Sequence, residues 1–361
     1  MPNPFILETK IRSPRVTGNV LSRSRVSKIL AHVYEYRLTL LQAGAGYGKT
    51  TVLSLLAEEN SRVIWYQISE EDKDPVVFLL HLCYATLRVY PDLEGMPTPL
   101  LESWEPSRGP LIPREVVSQY LNAVGFGIDH PTLVILDDLH LVADTPDIAL
   151  ILDRLIGLAP GILHFIASTR YTLQLPNLFR WRSMGQVLSL DQSALTFSEE
   201  EIAALFREQY GVDLSSNEVE DLYAATEGWA ISLQLIGQSL TSGSSKSVRH
   251  ALRRRESPLD SLFEVLASDV LEGQPPEMQA FMMDTSVLRT MDPNACDWLM
   301  STNDSTEKLA YLEQNDLFVS HLGERELRYH PIFQQFLYRQ LDSARRAELY
   351  LHAGNYYRGE G

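Results

Sequence analysis

The tightest constraint on this chain lies between residues 38 and 59. There LTLLQ (38–42) runs into Ala43-Gly44-Ala45-Gly46-Tyr47-Gly48-Lys49-Thr50. Leu53, Leu56 and Ala57 follow at helical spacing. The apolar run predicts a buried strand, and Thr50 to Glu59 predicts a helix. A strand that feeds a helix through a glycine-rich turn is the context of the phosphate-binding pattern GxxxxGK[ST]. Ala43 stands at the first glycine position of that pattern. Glycines let successive backbone N–H groups turn inward around phosphate oxygens. The helix that follows presents its positive end to them. In this reading Gly46, Tyr47, Gly48, Lys49, Thr50 and Thr51 are candidate phosphate contacts. Lys49 supplies a charge to the outer phosphates, and the Thr50 hydroxyl is a ligand for Mg²⁺. A dinucleotide-binding turn also spaces glycines as at Gly44 and Gly46, but Lys49 occupies its third glycine position.

A second motif belongs with the first. Leu133-Val134-Ile135-Leu136-Asp137-Asp138 is an apolar strand ending in paired acids. The same chemistry needs one acid to hold Mg²⁺ and one to orient or deprotonate a water, which assigns Asp137 to the metal and Asp138 to catalysis. A further apolar strand ends at Ser168-Thr169-Arg170. Ligands bind at the carboxyl edge of open α/β sheets, so Arg170 is a candidate γ-phosphate sensor. A structural salt bridge is the competing role.

Strands at 38–42, 62–68, 132–136 and 162–168 alternate with helices at 50–59, 74–90, 114–125 and 147–158. Strands that are almost wholly apolar imply a parallel sheet covered on both faces, an α/β fold. Six prolines between Pro91 and Pro113 predict an irregular loop there. The alternation stops near residue 190. Ser198 and Glu201 form a capping-box signature that opens a helical region, with further helices at 217–226 and 229–239. TSGSSKS (241–247) reads as a loop or linker. Helices at 259–271, 276–284 and 305–314, two short strands at 317–322 and 327–329 around Gly323, and a helix at 331–340 read as a winged helix. Another helix begins at Ala344.

Lys plus Arg is 31 and Asp plus Glu is 47, a formal charge of −16. That balance argues against nucleic-acid wrapping, and the small hairpin carries Glu324 and Glu326. The cluster Arg249, His250, Arg253, Arg254 and Arg255 reads as a solvated or interdomain face. With only Cys83 and Cys296, a disulfide framework and a cysteine zinc site are excluded. No signal peptide and no membrane-length apolar run are visible, so the expected compartment is cytoplasmic. The first 37 residues are basic, carrying Lys10, Arg12, Arg15, Arg23, Arg25, Lys28 and Arg37 against Glu8 and Glu35. Such a segment needs an anionic partner or a structural reason.

Several segments together resemble the STAND ATPases of the MalT-like branch. They are TKIRSP with VLSRSRVSKIL, AGYGKT (45–50), ILDDLHLV (135–142), the tract from 168 to 206, GWAISLQLIGQSL (228–240) and YHPIFQQFL (329–337). The resemblance covers nearly the whole chain. It implies an N-terminal segment (1–37), a P-loop NTPase domain (38–190), a helical domain (191–255), a winged-helix domain (256–343) and the start of a further helical region (344–361). It also implies a switch that rests closed with ADP and self-associates with ATP. The trigger is an inducer acting through a sensor domain that this chain lacks. In the family the winged helix folds back on the nucleotide and does not read DNA. By the same likeness Arg23 and Arg25 lie near the adenosine or phosphates, Val20 packs on the base, and His330 touches the β-phosphate of ADP. Gly228 and Trp229 are expected to pack the helical domain. Two other readings stay open: a small-molecule or nucleotide kinase, and a winged-helix DNA-binding regulator with an incidental ATPase.

Overall fold

The computed structural model describes residues 6–16, 20–44, 46–104, 113–170, 172–241, 264, 267–268, 270–315, 317–321, 326–329 and 331–359. The chain divides into two compact units. The first comprises Met1–Ser13, Ser24–Gly44 and Lys49–Leu195; the second comprises Pro14–Arg23, Ala45–Gly48 and Thr196–Gly361.

The first unit runs α1 (Ser24–Leu30), β1 (Leu38–Gln42), α2 (Lys49–Glu59), β2 (Val63–Gln67), α3 (Pro75–Val89), α4 (Thr98–Glu102), α5 (Pro113–Gly127), β3 (Thr132–Asp137), α6 (Pro146–Leu158), β4 (Leu163–Thr169), α7 (Leu178–Ser183), β5 (Val187–Leu190) and α8 (Gln192–Leu195). Its five strands are all parallel, in the order β2-β3-β4-β1-β5. The apolar runs are buried because helices cover both faces: Leu38, Val134, Ile135 and Ile166 are fully shielded. Register sets the functional edge. Gln42 lies opposite Thr169, and Leu136 lies opposite Ala167. The glycine-rich loop, the paired acids and Arg170 therefore leave the sheet at the same carboxyl edge.

Helix α3 starts where the sequence says it must. The Asp74 carboxylate accepts from Val76 N and Val77 N, and Pro75 takes the first turn, where its missing N–H costs nothing. Five elements of this unit were not expected, α1 and α8 among them. The strand β5 extends the sheet on the far side of β1, and α7 precedes it. The proline-rich stretch contains α4, while residues 105–112 lie outside the described set.

The second unit contains α9 (Glu199–Tyr210), α10 (Ser216–Thr226) and α11 (Ala230–Thr241). It continues through α12 (Pro276–Thr285), α13 (Pro293–Met300), α14 (Ser305–Gln314), β6 (Val319–His321), β7 (Leu327–Tyr329), α15 (Pro331–Gln340) and α16 (Ser343–Gly359). The capping box on α9 is made: Ser198 Oγ accepts from Glu201 N at 3.2 Å, and Glu201 Oε2 accepts from Ser198 N at 3.1 Å. Strands β6 and β7 pair antiparallel, Val319 opposite Tyr329. Phe281, Phe333 and Leu337 form the buried centre of this winged helix. Helix α13 was not anticipated, and the linker at 242–247 and the turn at Gly323 fall outside the described residues. Among the described residues, no helix is long and apolar enough to cross a membrane.

Candidate phosphate-binding site

In the first unit, Lys49 opens α2 and is 7% exposed. Its ammonium donates to Ala43 O at 2.9 Å and to Gly44 O at 2.8 Å. Burial lowers its pKa below the ordinary lysine value; Asp138 and Asp137 oppose the shift, and Arg170 adds to it. The four groups that the sequence assigned to phosphate, metal and water are therefore within electrostatic reach of one another. Thr50 Oγ1 donates to Asp137 Oδ2 at 2.8 Å. That bond brings together, from different elements, the two side chains expected to hold Mg²⁺.

Asp137 is fully buried, and its other oxygen accepts from Ser168 Oγ. The same hydroxyl accepts from Asp138 N at 2.8 Å. Ser168, at the end of β4, thereby fixes both acids at the end of β3. Asp138 has φ 58° and ψ 35°, left-handed backbone that a non-glycine residue occupies at a cost. His140 Nδ1 stands 3.9 Å from Asp138 Oδ1, and burial lowers the imidazole's pKa, so the ring is neutral at pH 7. Arg170 follows β4, with its Nε buried and unpartnered among the described residues. At the other end of the loop, Gly44 N donates to Gln192 Oε1 at 3.3 Å. Thr51 is exposed in the first turn of α2, and Arg25 is exposed in the first turn of α1.

In the second unit, Gly46 and Gly48 have φ +77° and +76°, backbone that glycine takes at no steric cost. Gly46 O accepts from Ile231 N at 3.1 Å. The Tyr47 ring lies 6.1 Å from that of Trp229, and burial raises the Tyr47 pKa. Gly228 has φ +69°, and a Cβ there would lie 2.3 Å from Phe197 O. Trp229, expected only to pack the helical region, also packs against the loop residues Gly46 and Tyr47.

Arg23 lies in the second unit. It is 7% exposed, with Nη2 donating to Thr196 O at 2.7 Å and to Glu201 Oε2 at 2.8 Å. Its guanidinium carbon lies 4.1 Å from the centroid of the Phe197 ring. The guanidinium thus pairs with the capping carboxylate of α9. Val20 is half-buried. His330, Ala45 and the cluster 249–255 lie outside the described residues.

Sequence reasoning missed Ser168, His140 and Gln192 as members of this site. A serine at a strand end carries no periodic signal. The Asp-Asp-x-His spacing was readable and would have found His140. Among the described residues no group of three or more His, Cys, Asp or Glu could hold a metal alone. The donor set at Thr50 and Asp137 suits Mg²⁺, which takes few protein ligands and completes its shell with water and phosphate.

Comparison with known proteins places this geometry. Residues 267–349 match the family model of the MalT winged helix domain. The serine/threonine-protein kinase PknK of Mycobacterium tuberculosis is 30% identical over all of this chain and 32% of its own length. The HTH-type transcriptional regulator MalT of Yersinia enterocolitica is 27% identical over 92% of this chain and 36% of its own length. The chain thus spans about a third of the length of these curated relatives. In fold it is similar to a STAND protein with a tetratricopeptide repeat sensor from Pyrococcus horikoshii. That structure has a TM-score of 0.68 and 18% identity, with 99% of this chain and 47% of that chain covered. A glycine-rich turn on a five-stranded parallel sheet, followed by a segment that matches the MalT winged helix domain, makes the chain similar to the MalT-like STAND P-loop ATPases.

Proposed function

We propose that the chain is the nucleotide-driven switch core of a regulator: it binds ATP with Mg²⁺, hydrolyses it slowly, rests closed with ADP and self-associates with ATP. The observation that carries the reading is the convergence of Lys49, the Thr50–Asp137 hydrogen bond and Asp138 on one sheet edge. Lys49 turns its charge from the loop carbonyls to the outer phosphates. Thr50 and Asp137 hold the metal, which when bound neutralises charge developing on the phosphates. Asp138, fixed through its own N–H, orients the attacking water, and Arg170 meets the γ-phosphate. Gly46, Tyr47, Gly48 and Thr51 line the phosphates; Val20 and Arg25 serve the adenosine. His330 reads the β-phosphate of ADP. Slow turnover suits a device whose states must persist. An inducer bound outside this chain sets the exchange, and the output is transcriptional control by a longer protein.

Lys49→Ala is expected to abolish nucleotide binding, measured by titration of a fluorescent ADP. Asp138→Ala is expected to keep binding and lose phosphate release. Equal hydrolysis in wild type and Asp138→Ala would remove Asp138 from the catalytic role. Phosphate transfer to an acceptor other than water would favour the kinase reading. ADP released on denaturing the purified protein would support the resting switch.

A further inference from the structure

Helices α13 and α16 pack against each other in the second unit and leave a surface groove of about 630 Å³ between them. The spacing of its walls is regular. Asn294, Asp297 and Trp298 stand at i, i+3 and i+4 on α13, and His352, Asn355 and Tyr356 repeat that spacing on α16. Each helix thus turns one polar and aromatic stripe toward the other.

Three features define what such a groove can hold. First, Trp298 is 55% exposed, and its ring centroid lies 6.1 Å from that of Tyr356 at 48°. The two rings touch each other, so together they form one aromatic surface beside the groove. The Trp298 Nε1–H donates to His352 O at 3.3 Å, which fixes the indole and leaves its face outward. Second, the side-chain amides of Asn294, Asn303 and Asn355 and the His352 imidazole have no partner among the described residues. They supply a row of donors that water alone would otherwise satisfy. Third, among the described residues no Lys or Arg lines the groove, and its one acidic wall residue is Asp297. Asp297 Oδ1 accepts from Ser305 N at 3.0 Å, leaving Oδ2 for a cation. Anionic ligands, including nucleic acid and phosphopeptides, meet no positive charge here.

We propose that this groove docks a proline-rich segment of a partner protein that carries a Lys or Arg beside its prolines. A proline ring packs on the exposed Trp298 indole beside Tyr356. Proline has no N–H, so the segment presents carbonyl oxygens, and the asparagine amides and imidazole donate to them. The basic residue pairs with Asp297. A polyproline segment is extended before it binds, so little ordering opposes its docking on an open groove. Two helices offer no free strand edge, which excludes pairing with an added β-strand. The inference is independent of the nucleotide reading, because none of these residues belongs to the phosphate site.

The test is a titration of the full chain against fluorescein-labelled Lys-Pro-Pro-Leu-Pro-Pro-Leu-Pro, read by anisotropy. The same peptide with alanine for every proline is the control. Saturable binding is expected, at least about tenfold weaker for the alanine peptide. Trp298→Ala is expected to lose about tenfold in affinity, as for a buried aromatic anchor. Asn355→Ala, at an exposed position, is expected to lose a few-fold without disturbing the helix. Asp297→Asn is expected to lower affinity for the Lys peptide and not for one with norleucine in its place. The proposal is overturned by absence of saturation, by equal binding of the alanine peptide, or by affinity unchanged in both Trp298→Ala and Asn355→Ala. It is also overturned if the neutral saccharide cellotetraose binds the groove and the peptide does not.

Discussion

A methyl group on residue 46 would lie 2.7 Å from Ile231 Cγ2 and 2.9 Å from Trp229 Nε1, on backbone at φ +77°. Residue 48 has nearly the same backbone, φ +76°, with nothing within 4 Å of the added atom. The two glycines therefore separate conformational cost from packing cost. Gly48→Ala carries the left-handed term alone, about 1–2 kcal/mol. Gly46→Ala carries that term plus the displacement of a packed Ile231, a further 1–3 kcal/mol or so. Urea denaturation of both variants checks the ordering, and equal losses would mean that Ile231 yields freely. The sequence showed why glycine belongs in a phosphate turn. It did not show the crowding, because Gly46 and Ile231 are brought together by tertiary packing and share no local pattern. The paired acids were readable for the opposite reason: Asp137 and Asp138 are adjacent, and the strand before them announces their edge. Ser168, which anchors both, announces nothing.

At the scale of elements, two cations of the basic N-terminal segment, Lys10 and Arg23, find carboxylates inside the protein. Lys10, in a short 3-10 turn at Glu8–Ile11, donates to Asp72 Oδ1 at 2.9 Å and Oδ2 at 3.0 Å. Lys10 is 8% exposed and Asp72 fully buried. Asp72 also accepts from Ser69 N at 2.7 Å, so one carboxylate caps the turn before α3 and fastens the N-terminal segment. Arg23 does the same for the second unit by gripping Glu201. Removing one partner of a buried pair leaves the other charged and unpaired, so Lys10→Met should cost about 3–5 kcal/mol. Adding Asp72→Asn should recover part of that loss, because the stranded charge is gone. A double-mutant cycle by chemical denaturation measures both. A loss below about 1 kcal/mol for Lys10→Met would class the pair with surface bridges. The elements themselves were legible where burial on both faces forces continuous apolar runs, as in β1, β3 and β4. The strand β5 has only four residues, with Ser189 exposed among them, too short for a period to show. Helix α13 was hidden behind Asp292-Pro293-Asn294, which reads as a turn. Here Asp292 is the N-cap and Pro293 the first helical residue, a start signal that uses the same residue types.

At the scale of the whole molecule, the acidic balance of −16 bears on assembly. Like net charge opposes self-association, so any oligomer of this chain must be held by a specific, state-dependent surface. Inverting a 99:1 closed population requires about 5.5 kcal/mol of differential binding. The γ-phosphate contacts proposed for Lys49 and Arg170 supply part of that, and partner subunits the rest, so assembly should depend on both nucleotide and protein concentration. Asp138→Ala isolates the point, because it is expected to hold ATP without consuming it. Sedimentation velocity of this variant with ATP and Mg²⁺ should show a faster species that grows with protein concentration, while the same protein with ADP stays as the slow species. His330→Ala should move the wild-type ADP sample toward the fast species by weakening the contact proposed to retain ADP. Identical sedimentation with both nucleotides across a hundredfold range of concentration would mean that the nucleotide does not control assembly. The site would then remain a slow ATPase without a switch.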